Sequence, residues 1–167
     1  MKNIVKEFLI AEGALLVYSG FSLLLASDAE IRQMMALAKV RPLIPLPFWT
    51  MEFAFLFNGV MLLLIGLNPA FGLYLNKKEV FPVVLRVLSV FSSIVMINPM
   101  ILEIQAILRG EVNFLAIATA PGLLFPGGLF VHVFFQHWLG GILGFSVGIY
   151  PKLFAALHRV KMKVLAK

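Results

Sequence analysis

Residues 121–150 read PGLLFPGGLFVHVFFQHWLGGILGFSVGIY and combine strong apolarity with two histidines and several glycines. No Asp, Glu, Lys or Arg occurs between Gly128 and Tyr150. A run of ~20 such residues is long enough to cross a hydrocarbon core ~30 Å thick as a helix. The run therefore predicts a membrane span, inside which the histidine side chains need partners.

Three glycines of this span, Gly140, Gly144 and Gly148, recur at every fourth residue. On a helix they form a flat strip against which another helix can lie closely, so we expect a helix-packing face. His137 lies over this strip. There it is typical either of a histidine hydrogen-bonded to a neighbouring helix or of an axial ligand to a haem or chlorin, for which the glycines would leave room.

The whole chain shares this apolar character. Of its 167 residues, 61% are hydrophobic and 13% are charged, and the mean hydropathy is +0.98. Soluble domains have ~45–50% apolar and ~25% charged residues, so a water-soluble fold is excluded. The sequence has no cysteine, which excludes disulfides, thiolate metal sites and a cysteine nucleophile.

The apolar runs predict an all-α integral membrane protein with a single membrane domain. We expect four transmembrane helices, at about residues 8–26, 48–67, 80–107 and 128–150. Residues 112–120 are apolar but too few to span, which favours a re-entrant half-helix before the last span; a kinked pair of spans, making five, is the alternative. This layout is similar to that of small four-helix membrane proteins, the DoxX-like group among them.

Two amphipathic segments are predicted to lie on the membrane surface. A capping box, Ser27 to Glu30, starts the first at about residues 28–39, and the second follows at about residues 152–166. Lys and Arg occupy one stripe of the second helix, which indicates contact with anionic lipid. We assign the net charge of +6 to the membrane surface and to topology, and not to nucleic acid.

The distribution of basic residues also predicts the orientation. Lys and Arg are concentrated near both chain ends and at Lys77 and Lys78, so we expect the N- and C-termini on the cytoplasmic side. The short chain and its basic N-terminus favour a bacterial inner membrane.

Two opposite charges are expected inside the spans near the cytoplasmic face. Glu12 belongs to the first span and Arg86 to the third, each about two turns or less from that face. Because charges in the bilayer need a partner, we expect a buried ion pair between them. A role in handling a substrate or a proton is the functional alternative.

A polar cluster is expected near the opposite face of the membrane. Its members are Glu52, Asn98, Glu103, His132 and Gln136. Side chains of these types could relay a proton, hold a polar substrate, ligate a metal ion or form a structural hydrogen-bond network. No HxxH, HxxxH or ExxH pair occurs, so a di-metal or zincin-type site lacks its local signature.

Three functions are compatible with these features. The first, which we favour from the sequence, is a non-catalytic subunit or assembly partner of a larger membrane complex that docks through the glycine-rich helix face onto other subunits or a second copy. The second is a small proton-coupled transporter or channel using Glu52, Glu103 and His132. The third is a membrane-embedded redox or lipid-modifying enzyme with haem, chlorin or quinone held by a histidine. The sequence identifies no catalytic residue.

Overall fold

The computed structural model of the protein describes residues 2–27, 43–111 and 136–154, together with Ala29, Arg32 and Ala36, and contains no strand among them. Its helices are α1 (Lys2–Leu25), α2 (Phe48–Leu67), α3 (Pro69–Tyr74), α4 (Val80–Leu108) and α5 (Gly140–Ile149). Residues 136–139 form a π-helical turn before α5, and residues 151–154 form a further helical turn after it. The predicted all-α class is confirmed for this part of the chain.

Within the described ranges, three helices are long and apolar enough to cross a membrane, and these segments are Ile4–Leu25, Trp49–Leu67 and Val80–Pro99. They overlap the first three predicted spans, which are residues 8–26, 48–67 and 80–107. The predicted fourth span, residues 128–150, is described only from Gln136 onward, and the predicted re-entrant segment before it lies outside the described residues. The predicted surface helices, residues 28–39 and 152–166, also lie mostly outside them.

Local sequence explains where the helices begin and end. α1 begins at Lys2, six residues before the predicted start of the span, because Lys and the residues around it are compatible with a helix. α2 follows Pro47 and ends at Leu67, before Pro69. The side chain of Asn68 accepts a hydrogen bond from the Ala70 amide at 3.2 Å and so caps α3.

The backbones of α1 and α2 touch at glycines. A Cβ atom added to Gly59 would lie 2.9 Å from the carbonyl oxygen of Gly13 and 2.8 Å from the amide nitrogen of Val17. Farther along, Gly66 packs against Ile10 and the carbonyl oxygen of Lys6. The pairing is therefore antiparallel, and its closeness depends on the missing side chains.

α4 and α5 form a second antiparallel pair. A Cβ atom added to Gly148 would lie 2.8 Å from the carbonyl oxygen of Arg86, and one added to Gly141 would lie 3.0 Å from Ile97. α2 joins the two pairs, because it contacts α1, α4 and α5. These contacts put the beginnings of α1 and α4 and the end of α5 at one end of the bundle.

The outward faces of these helices are apolar and their contact faces carry polar residues. Leu25 is 87% exposed, and Val80 and Val87 are also largely exposed. By contrast, Asn58 and Ser93 have no exposed surface at all. This distribution is the reverse of that in a water-soluble helical bundle.

We predict that Gly59→Leu destabilises the pairing of α1 and α2. The new side chain meets backbone atoms of Gly13 and Val17, which cannot move aside without separating the helices. The free energy of unfolding should fall by ~1–3 kcal/mol or more. Thermal unfolding of the detergent-solubilised protein measures the effect, and Val60→Leu, at the neighbouring and 46% exposed position, is the control. Equal midpoints for the two variants would contradict the close approach.

Candidate functional site

The polar side chains of the bundle interior form the candidate site. The residues 9% exposed or less include Asn58 on α2, Ser89 and Ser93 on α4, and His137 in the π-helical turn. They lie where α2, α4 and α5 meet. We call these four residues, together with the buried Ser92, the polar core.

Asn58 connects α2 to α4 within the polar core. Its Nδ2 group donates a hydrogen bond to Ser93 Oγ at 3.1 Å, and Ser93 Oγ donates in turn to the carbonyl oxygen of Ser89 at 2.7 Å. Asn58 Oδ1 is buried without a partner. Gly144 of α5 lies directly over this pair, since any Cβ there would collide with Asn58 and Ser93.

His137 connects α5 to α4. Its Nδ1 atom lies 3.0 Å from the carbonyl oxygen of Met96, and its ring meets the ring of Phe55 edge-on, with 5.1 Å between centroids. Because a carbonyl oxygen only accepts, Nδ1 carries the proton and donates it. In a neutral ring, Nε2 is then the acceptor nitrogen. Pro99 lies in the next turn of α4 and lacks the amide that would bond the Val95 carbonyl, so the helix is irregular close to this contact.

The predicted glycine strip is occupied by the chain's own helices. Gly140 faces Leu16 of α1, Gly141 faces Ile97 of α4, and Gly144 faces the Asn58–Ser93 pair. These side chains fill the face that would give a flat ring room beside His137. In the part of the chain that the structure describes, a haem or chlorin does not fit there.

Asn98 holds a loop onto α4. Its Nδ2 group donates to the carbonyl oxygen of Ile44 at 2.7 Å, and its Oδ1 atom accepts from the Ile44 amide at 2.9 Å. The carbonyl oxygen of Asn98 also accepts from the Leu43 amide at 3.5 Å. Asn98 therefore binds the backbone of the segment leading into α2.

The rest of the predicted outer cluster is described in part. Glu52 is half-buried on α2, and Gln136 is buried in the π-helical turn. His132 and the side chain of Glu103 lie outside the described residues, so the cluster stays a prediction. Within the described ranges, no group of three or more His, Asp or Glu residues could hold a metal ion.

Glu12 is buried and Arg86 is half-buried, and among the described residues they do not form the expected pair. Glu12 is 3% exposed, and its Oε1 atom has no hydrogen-bond partner; the Nε atom of Arg86 is also buried and without one. The ion pairs of the described residues are at the surface, and they are Lys77–Glu79 and Arg109–Glu111. None joins Glu12 to Arg86.

Helix register gives a physical reason for this separation. Gly13 of α1 packs against Gly59, and the adjacent Asn58 is bonded to Ser93 of α4. Glu12 therefore lies at about the depth of residues 89–93 of α4. Arg86 lies about a turn nearer the end of the bundle.

Sequence reasoning placed His137 over the glycine strip but could not name its acceptor. The Asn98-Pro99 dipeptide was the available signal, because a proline within a span releases carbonyls that nearby polar side chains can satisfy. Neither the bond from His137 to Met96 nor the clamp of Asn98 on Ile44 follows from spacing alone, since each joins residues more than 40 positions apart.

Comparison with protein-family models, with curated proteins and with solved structures found no match. The function is therefore inferred from the residues and geometry of the chain itself.

We predict that Asn98→Ala releases the segment leading into α2. The substitution removes the two side-chain hydrogen bonds to Ile44, each of which is worth ~0.5–1.5 kcal/mol. Hydrogen exchange of the Ile44 backbone amide should therefore become about tenfold faster. Hydrogen-exchange mass spectrometry of the purified protein measures this change. Gln105→Ala, at an exposed position of the same helix, is the matched control. Unchanged exchange at residues 43–47 would contradict the clamp.

Proposed function

We propose that the chain is an integral membrane protein with four spans, the fourth of which contains α5, and that both of its ends are cytoplasmic. Three helices of sufficient length, an apolar outer surface and a polar interior support this proposal. The basic residues support the orientation, because Lys6, Lys77, Lys78 and Lys152 all belong to segments at the same end of the bundle.

We further propose that the protein is a small proton-coupled transporter or channel in which Glu12 is the proton-binding residue. The observation that carries this proposal is the burial of Glu12 with neither a hydrogen-bond partner at Oε1 nor a counter-ion among the residues that the structure describes. A bare carboxylate in such a place costs several kcal/mol, so a proton or a cation must accompany the group. Such a carboxyl group can bind a proton and release it as conditions change.

The polar core supplies groups that could pass a proton onward. Ser89 and Ser92 lie at about the depth of Glu12, and each has an Oγ atom without a partner. Asn58 and then His137 follow toward the opposite end, next to Ser93 and Met96. From Ser89 to Met96 the rise along α4 is about 10 Å. Hydroxyl and imidazole groups both donate and accept, which a proton relay requires.

Packing of the glycine strip favours this function over the other two. A subunit docking through Gly140, Gly144 and Gly148 would need a face that α1, α2 and α4 already cover. A partner subunit would then have to bind the outer apolar surface. Lipid can cover that surface equally well, so the surface gives no specific support for a protein partner. A macrocycle held by His137 meets the same obstruction.

We predict opposite accessibility for the two ends of α4. The sequence has no cysteine, so Lys78→Cys and Arg109→Cys each introduce a single thiol at an exposed position. A membrane-impermeant maleimide added to intact cells should label Arg109→Cys and reach Lys78→Cys only after permeabilisation. Labelling of both variants in intact cells would contradict a spanning α4, and the reverse pattern would contradict the orientation.

We predict that Glu12→Gln abolishes proton movement, because an amide keeps the shape of the side chain but cannot release a proton. Purified protein in liposomes containing a pH-sensitive dye should dissipate an imposed pH gradient at least about tenfold faster than Glu12→Gln does. A tenfold slower proton flux corresponds to an activation barrier that is higher by ~1.4 kcal/mol or more.

Glu7→Gln is the matched control for this experiment, since Glu7 is an exposed carboxylate on the same helix. It should conduct as the unmodified protein does. Thermal unfolding verifies that Glu12→Gln is folded. The proposal fails if Glu12→Gln retains full flux, or if the unmodified protein moves no more protons than empty liposomes.

A further inference from the structure

A groove on the outer surface runs along α4 beside the end of α5. Its volume is about 440 Å³, within the range of ~300–1,000 Å³ typical of small-molecule sites. Its walls are almost wholly apolar and include Val87, Val90, Phe91 and Ile94, with Gly148 on the α5 side. Arg86 is the charged residue that lines it.

The dimensions of the groove match one leaflet of a bilayer. Its lining extends along α4 from Val83 to Ile94, which at 1.5 Å per residue is about 16 Å. Half of the hydrocarbon core is ~15 Å. The apolar wall is thus about as long as the acyl-chain region of one leaflet. Arg86 lies near the end of the wall that is closer to the start of α4.

Arg86 gives the groove a charge that the described residues do not neutralise. A guanidinium is always protonated in proteins, and the Nε atom of Arg86 is buried without an acceptor. The described ion pairs involve other residues, Lys77–Glu79 and Arg109–Glu111. Arg86 lies six residues inside α4, ~9 Å from its start, so its side chain can reach the headgroup level.

Gly148 sets the shape of the groove. A Cβ atom at this position would lie 2.8 Å from the carbonyl oxygen of Arg86 and would also collide with Val90. The missing side chain lets α5 lie directly on α4. The groove therefore has a fixed wall on its α5 side, beside the backbone of Arg86.

We propose that this groove binds one anionic phospholipid, with its phosphate on Arg86 and one acyl chain along Val87, Val90, Phe91 and Ile94. Guanidinium groups bind phosphate through paired, charge-assisted hydrogen bonds, and the apolar wall excludes water from the chain. The groove opens outward, where Val87 is 61% and Ile94 is 53% exposed. The inference rests on the proposed membrane location but not on proton movement.

Native mass spectrometry of the detergent-purified protein tests this site with two defined lipids, phosphatidylglycerol and phosphatidylcholine. The unmodified protein should retain one phosphatidylglycerol molecule, and it should retain phosphatidylcholine at least about tenfold more weakly. Arg86→Gln should weaken retention of phosphatidylglycerol by a similar factor. Lys78→Gln removes an exposed charge at the same end of the bundle and should leave retention unchanged.

A second variant keeps the test decisive if Arg86→Gln proves unstable. Val87→Trp fills the groove from an exposed position and leaves Arg86 in place, so it should also displace the lipid. Full retention by Val87→Trp, or equal retention of the two lipids, would overturn the proposal. The assay needs no pH gradient, so its outcome is independent of the flux measurement with Glu12→Gln, and thiol labelling tests the membrane location separately.

Discussion

The close approach of helix backbones at glycines is the constraint on which the bundle depends. In the proposed membrane location, lipid offers no hydrophobic force that would drive apolar helices together, so they would associate where small residues permit extensive contact. In α1 and α2 this contact is between Gly13 and Gly59, and in α4 and α5 it is between Gly148 and the backbone of Arg86 and Val90. These contacts fix the register of the helices and hence the depth of every polar side chain. The isolation of Glu12 and the position of the polar core follow from them.

Several buried polar side chains of this bundle form hydrogen bonds with backbone carbonyl groups. Ser19 and Ser93 donate to carbonyls one turn earlier in their own helices, and His137 donates to the carbonyl of Met96. Serine in a membrane helix commonly bonds in this way. Atoms left over after such bonds, chiefly on Glu12 and Ser89, are therefore the ones most suited to bind a proton or a polar solute.

Sequence reasoning reached the helical class and the bounds of α2, residues 48–67, because apolar runs and flanking prolines are local signals. The glycine strip was also visible, but spacing cannot distinguish a face that meets the same chain from one that meets another subunit. Pairing of Glu12 with Arg86 was expected from approximate depth alone. Their separation depends on helix register, which long-range glycine contacts determine. The fourth span, the cluster at Glu103 and His132, and the function stay predictions.

In the proposed membrane location, the length of α4 has a consequence for how the protein would respond to its bilayer. Its 29 residues extend about 43 Å, whereas a hydrocarbon core is ~30 Å thick. Residues 100–108 read MILEIQAIL and carry one charge, Glu103, so the excess length is itself mostly apolar. A tilt or a bend of the helix would accommodate it. Pro99 lies inside this helix and is a point at which it can bend, so the part after Pro99 could change its tilt while the glycine-packed part stays fixed. Membranes of different thickness would therefore be accommodated at one hinge, close to the clamp of Asn98 on Ile44.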